Sequence, residues 1–156
     1  MDKTAIILIS VFSAIIGGYL LIRLIITFIS KPPDNLGIKN GKLGKCEFEK
    51  SFINSQQEKE YNLDPVSYEK LGGTKTVHEK IIQAIKEYGR SKIITEKPNY
   101  IHAIFRTGIW GFIDDTEFYL DEEEKRIHFR SSSRLGSYDW GTNKERMQKL
   151  LKLIQQ

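Results

Sequence analysis

An α+β domain behind a single N-terminal transmembrane helix is the fold class this sequence predicts, with an antiparallel sheet and two helices packed on one face. Three observations predict it. Ala5–Ile22 runs for eighteen residues without a charge, and the apolar run resumes after Arg23 as far as Ile29. The 126 residues from Lys31 to Gln156 hold 22 Lys+Arg and 19 Asp+Glu, an ordinary soluble composition. Within that stretch the apolar period changes from helical to alternating and back. This pattern excludes a multidomain enzyme, a polytopic transporter and an intrinsically disordered chain. About 126 residues suffices for a core without disulfide or metal staples.

The first element is the apolar segment. Ala5–Ile29 amounts to roughly 37 Å of helix at about 1.5 Å per residue, against a hydrocarbon core of about 30 Å. A secretory signal has a shorter apolar stretch and a small-x-small cleavage site, whereas Ile29 is followed by Ser30-Lys31-Pro32-Pro33. A lipoprotein signal places a cysteine directly after the run, and the one cysteine is Cys46. A globular helix apolar on every face is the competing reading, disfavoured by length. Residues 1–30 therefore read as an uncleaved anchor, with the cell membrane as partner and location. Arg23 lies near enough to its end to snorkel. Gly17-Gly18 without G-x-x-x-G supports a dimer seam only weakly. The flank before the span carries Lys3 against Asp2, and the flank after it carries Arg23, Lys31, Lys39, Lys42 and Lys45 against Asp34. Counting cations puts the domain in the cytoplasm.

Residues 31–45 come next. Pro32-Pro33-Asp34-Asn35, then Gly37, Gly41 and Gly44, predict a flexible, helix-free linker. Its lysines either lie solvated or touch anionic headgroups. The soluble domain then spans residues 46–156. Thr76-x-x-Glu79 and Thr142-x-x-Glu145 read as capping boxes opening two helices. Val77, Ile81, Ala84, Ile85 and Tyr88 share one face of the first, which Gly89 stops in a left-handed conformation. Met147, Leu150, Leu151 and Ile154 share one face of the second. Between them Ser91–Glu96, Asn99–Arg106, Thr116–Leu120 and Arg126–Ser132 alternate as strands, and Asp121–Lys125 is an acidic hairpin turn with a solvated tip.

The alternation sorts chemistry by face. Ile101, Ala103, Phe105, Phe118, Leu120, Ile127 and Phe129 point toward the helices, leaving His102, Arg106, Glu117, Tyr119, His128 and Arg130 on the opposite face. That face is either a surface for anions or peptides, since arginine forks fit carboxylates and phosphates, or simply a polar uncovered sheet. The densest chemistry is Arg130-Ser-Ser-Ser-Arg134-x-Gly136-x-x-Asp139-x-Gly141-x-Asn143-x-x-Arg146. A phosphate or carboxylate held there by Ser131–Ser133, the arginines and a helix N-terminus is one reading. The other pairs Asp139 with Arg134 or Arg146 to pin the last helix. Arg130, Arg134 and Arg146, organised by Asp139 and Asn143, are the candidate ligand contacts for a small anionic ligand or a protein partner.

This stretch resembles the signature of the domain of unknown function 1499 family, R-S-x-S-R-x-G-x-x-D-x-G-x-N-x-x-R, at every fixed position. Asp114-Asp115-Thr116-Glu117-Phe118 is similar to its D-D-x-E-F segment, and Asn62-Leu63-Asp64-Pro65-Val66-Ser67-Tyr68 to its hydrophobic-x-P-x-x-Y segment. The resemblance runs from about Cys46 to Met147. It implies a small α+β domain, often membrane-attached or exported, without an established activity. Members commonly carry two cysteines six residues apart; here Phe52 stands in the second position, so no intrachain disulfide forms. A lone thiol fits a reducing compartment.

An enzyme is the alternative to a binding module. It rests on Asp114, Asp115 and Glu117 with His102 or His128, since neighbouring carboxylates separate in pKa and perform acid–base work or hold a hard cation. Against it, Asp114 and Asp115 are adjacent, so alternation sends them apart. The histidines are scattered, and no metal, Walker or nucleophile-elbow motif is present. No catalytic residue, metal or cofactor is expected. A formal charge of only +3 on the soluble part, without a basic stripe, argues against nucleic acid.

Overall fold

The computed structural model describes residues 2–46, 51–58 and 62–156. Part of the resemblance, 47–50, lies outside them.

Helix α1 (Lys3–Ile29) is long and apolar enough to cross a membrane. Only Ile26 in it is buried. Tyr19, Arg23, Ile26, Thr27 and Ser30 recur every three or four residues and so form one stripe. That stripe touches the domain: Tyr19 Oη donates to the Ile109 carbonyl at 2.7 Å, Arg106 donates to Thr27 Oγ1 at 3.3 Å, and Arg134 donates to the Ser30 carbonyl at 3.1 Å.

Residues 31–45 hold no helix but do hold a small hairpin, β1 (Ile38–Lys39) with β2 (Lys42–Leu43). The segment lies on the sheet. Leu43 is buried, Gly37 N–H donates to Glu117 Oε1 at 2.7 Å, and Asn35 accepts twice from Arg130.

The main sheet is entirely antiparallel. Its four long strands are β5 (Ser91–Lys97), β6 (Tyr100–Arg106), β7 (Ile113–Asp121) and β8 (Arg126–Ser133). They lie where alternation predicts them, in sequence order. Two further strands, β3 (Phe52–Asn54) and β4 (Val66–Ser67), both pair with β8 and complete six. At two and three residues they are too short to show a period. The β7–β8 turn is capped by Asp121 Oδ1, which accepts the N–H groups of Glu123 and Glu124 at 2.9 Å.

Helices α2 (Gly73–Tyr88) and α3 (Thr142–Ile154) cover one face. Val77, Ile81, Ala84 and Ile85 of α2, with Met147, Leu150, Leu151 and Ile154 of α3, meet the apolar rows of β6–β8. Both helix starts differ from the expected capping boxes. Helix α2 begins four residues earlier, out of Gly72 at φ +97°, so Thr76 sits inside it. A short 3-10 turn (Glu69–Leu71) and the Gly72-Gly73 pair deliver the chain in that direction. Thr142 is the first residue of α3 and makes no cap; Asp139 supplies it instead, its Oδ2 accepting Asn143 N–H at 2.9 Å and its Oδ1 accepting Gly141 N–H at 3.0 Å. Helix α2 does stop at Gly89, with φ +77° and ψ 175°, a region that is essentially glycine-only.

The opposite face is not open. His102, Glu117, His128 and Arg130 share it as alternation requires, but all four are buried. The 31–46 segment covers Glu117 and Arg130, and the end of α1 reaches Arg134.

The packing predicts that Phe129→Ala, which empties a fully buried site between sheet and helices, costs about 3–5 kcal/mol. Urea unfolding of the full chain in detergent micelles measures it, and a cost below about 1 kcal/mol contradicts this packing.

Candidate functional site

Three of the four carboxylates of strand β7, those of Asp114, Asp115 and Glu117, are buried to within 1 % exposure. Alternation sends Asp114 toward α3, and Asp115 and Glu117 to the other face. Each meets one arginine: Asp114 with Arg146, Asp115 with Arg134, Glu117 with Arg130.

On the helix side, Arg146 Nη2 donates to Asp114 Oδ2, and Nη1 donates to Asn143 Oδ1 at 2.6 Å and Ser131 Oγ at 3.1 Å. The guanidinium lies 5.1 Å from the Phe105 ring centroid. Asn143 Nδ2 donates to the Ser51 carbonyl, Ser133 Oγ and Asp139 Oδ2 at 2.8–3.1 Å. Asp139 therefore pairs with neither arginine, contrary to the second reading of the motif; it caps α3 and orients Asn143. The helix N-terminus expected to attract a phosphate already holds this carboxylate, and Ser131 and Ser133 are engaged by Asn143.

On the other side, Arg134 grips Asp115 as a fork, Nε to Oδ2 and Nη2 to Oδ1, both at 2.8 Å. His102 Nε2 lies 2.8 Å from the same Oδ1. Burial alone raises the Asp115 carboxyl, but the His102 hydrogen bond and the Arg134 fork and charge outweigh it and hold the group below the ordinary carboxylate range. Glu117 accepts from Arg130 at 3.1 Å, Tyr100 Oη at 2.7 Å and Gly37 N–H at 2.7 Å. Burial, then the Glu117 charge, push the Tyr100 phenol well above its usual value. Arg130 Nε donates to Cys46 Sγ at 3.2 Å, yet burial wins and raises that thiol. A raised thiol is a poor nucleophile at neutral pH.

The five motif candidates are thus distributed over both faces of the sheet. Arg130 and Arg134 line a cavity of about 330 Å³ with Lys31, Asp34, Lys45 and Cys46. Arg146 lines a second, of about 780 Å³, between the ends of α2, β6 and α3, with Glu87, Arg90, Arg106, Lys149 and Lys152. Asp139 lines a third, of about 550 Å³, between two aromatic loops. Asp114, Asp115 and Glu117, the proposed acid–base group, are divided between faces and each occupied by an arginine. His128 stands apart, stacked on Tyr119 at 5.8 Å, with Glu124 at 3.8 Å. Burial depresses its imidazole despite the acids of the β7–β8 turn. Asp121, Glu124 and His128 bring ligand atoms within 4.8 Å of one another at that turn.

Arg90, Lys149 and Lys152 carry no sequence signal of a site: the lysines read as the solvated face of an amphipathic helix, and Arg90 as the residue after a stop. Asn35 and Tyr100, which complete the Glu117–Arg130 group, are equally silent.

A depressed folded pKa at Asp115 means stabilisation that is complete above the unfolded value, about 3.9, and lost as pH falls through the folded one. Stability of the full chain in micelles is therefore expected to decline below about pH 4. Asp115→Asn leaves Arg134 without its counter-ion; it is expected to cost about 3–5 kcal/mol at neutral pH and to flatten that acid limb. Denaturant titrations across pH read both.

No curated protein and no solved structure matches the chain. A family model does, that of the protein of unknown function (DUF1499), over residues 42–154. The match contains all three arginine–carboxylate pairs and the Asn143–Asp139 cap, so the residues of the R-S-x-S-R to N-x-x-R signature are the ones that join β7, β8 and α3. On that match, covering well over half its length, the chain belongs to the DUF1499 family.

Proposed function

We propose that this is a single-pass membrane protein whose domain is a binding module, without catalysis, for a small anionic group. The carrying observation is the cavity of about 780 Å³ that Arg90, Arg106, Arg146, Lys149 and Lys152 line together with a single acidic side chain, that of Glu87. Arginine forks and lysine ammonium groups suit phosphate or carboxylate. Arg146 supports the reading further. It lines that cavity, and its Nε–H is buried without an acceptor among the described residues. Arg130 and Arg134, by contrast, spend most of their donors on Glu117, Asp115, Asn35 and Ser30. Their role in this reading is to hold the frame.

Inorganic phosphate titrated into the full chain in neutral micelles tests the site. Lys149→Glu/Lys152→Glu, at two exposed positions, is expected to weaken binding at least about tenfold, roughly 1.4 kcal/mol. Lys31→Glu/Lys45→Glu is expected to change it little. The reverse pattern moves the site to the linker cavity beside Arg130 and Arg134, and no phosphate binding by the wild-type chain ends the anion reading.

The flanking cations support a cytoplasmic domain. Cys46 is the chain's one thiol. A membrane-impermeant maleimide is expected to modify it only after permeabilisation, and slowly until the pH is raised, because burial lifts its pKa. Labelling in intact cells reverses the topology.

A further inference from the structure

A loop beside α1 and a second loop across a cavity from it carry apolar side chains into solvent. Residues 107–112 present Ile109 (71 % exposed), Trp110 (47 %) and Phe112 (37 %); residues 135–140 present Tyr138 (54 %) and Trp140 (84 %). The cavity of about 550 Å³ lies between them. Tyr138 and Trp140 pack edge to face at 5.0 Å, and Trp140 has φ +56°, which bulky residues rarely adopt. A contiguous patch of this kind marks an interaction site rather than ordinary surface.

We infer that these loops insert into the lipid interface next to the anchor. The inference rests on the reading of α1 as a span. Counting about 20 residues from Ala5 puts the hydrocarbon boundary near Leu24. Tyr19, more than a turn inside that boundary, hydrogen-bonds the Ile109 carbonyl and lies 6.3 Å from the Trp110 ring. Arg23 packs so closely on Gly111 that a Cβ there meets Nη2 at 3.0 Å. A helix seated in a bilayer at this depth therefore carries loop 107–112 down with it.

Several of the loop's backbone groups are already satisfied by the protein. Polar backbone groups entering a bilayer must be satisfied by the protein. Thr107 N–H donates to the Phe112 carbonyl at 2.9 Å, Phe112 N–H donates to Thr107 Oγ1 at 3.0 Å, and the Ile109 carbonyl accepts from Tyr19. Tryptophan and tyrosine are the side chains that favour the boundary, an apolar body with one polar edge. The occupant of the patch is the bilayer itself, continuous with the surface of α1.

The protein carries its own probe, since Trp110 and Trp140 are its two tryptophans. The full chain is reconstituted into phosphatidylcholine vesicles with or without dibrominated acyl chains, and flotation after an alkaline wash checks the anchor. Bromine is expected to remove most of the tryptophan emission, and Trp110→Phe and Trp140→Phe to show that each ring contributes. Chains that float yet keep their emission, and are quenched instead by aqueous iodide, overturn the inference while leaving the anchor intact. Rings shielded from both quenchers overturn it in favour of a second copy on the patch. Chains that do not float overturn the anchor and the inference together.

Discussion

Strand β7 is the constraint on which the rest of the structure depends. Asp114, Asp115 and Glu117 are taken out of water within four residues, and a buried carboxylate without a partner is costly enough to prevent folding. Each therefore dictates where an arginine must go. Asp114 requires α3 to be turned so that Arg146 faces the sheet. Asp115 requires Arg134 to lie back across β7 after β8 has ended, within reach of the carbonyl at the end of α1. Glu117 requires Arg130, and the donors left on that guanidinium bring in Asn35 of the 31–45 segment. Such pairs add little net stability compared with apolar packing. What they supply is uniqueness of arrangement: apolar rows alone let α3 slide or rotate on the sheet, whereas one carboxylate and one guanidinium meet in a single register.

The legible part of the sequence was its periodic part. Both soluble helices, all four long strands and the separation of Asp114 from Asp115 follow from patterns of period 3.6 and 2, which are local properties of the chain. Closure is not local. Asp139 sits three residues before Thr142, and the Thr142-x-x-Glu145 spacing gives no hint that a residue outside the box holds the helix start. The reading that pairs Asp139 with Arg134 or Arg146 fails for the same reason: sequence proximity favours it, while the fold brings the carboxylates of β7 to both arginines. The polar face expected to be open was closed by a proline- and glycine-rich segment whose composition announces only that it is not helical. Its register on Glu117 depends on one backbone N–H, that of Gly37, and any residue type supplies one.

The cavities illustrate a related limit. A basic site assembled from Arg90 at a strand entrance, Arg106 at a strand end and Lys149 and Lys152 on a helix flank has no spacing to detect, because three separate elements contribute to it. Each lysine alone is an ordinary solvated side chain. Only the packing of α3 against the end of β6, imposed by Arg146 and Asp114, turns them toward one volume. The signature motif is thus one step removed from the chemistry: its arginines set the frame, and less conspicuous cations occupy the rim.

That division has an electrostatic rationale. An arginine already neutralised by a buried carboxylate attracts a further anion weakly, since the pair presents a dipole rather than a charge, and its field falls off faster with distance. At the larger cavity Asp114 neutralises only Arg146 and Glu87 is the one acidic side chain in the lining, so the other cations keep more of their field, and a partly enclosed site weakens screening by salt. The linker cavity has the opposite construction, with Asp115 and Glu117 directly beneath Arg134 and Arg130. Counting charges along the sequence ranks the two sites the other way, because it sees the dense arginine motif and not the carboxylates folded behind it. Where a charge ends in the fold, and what is buried beneath it, decides which site can hold an anion.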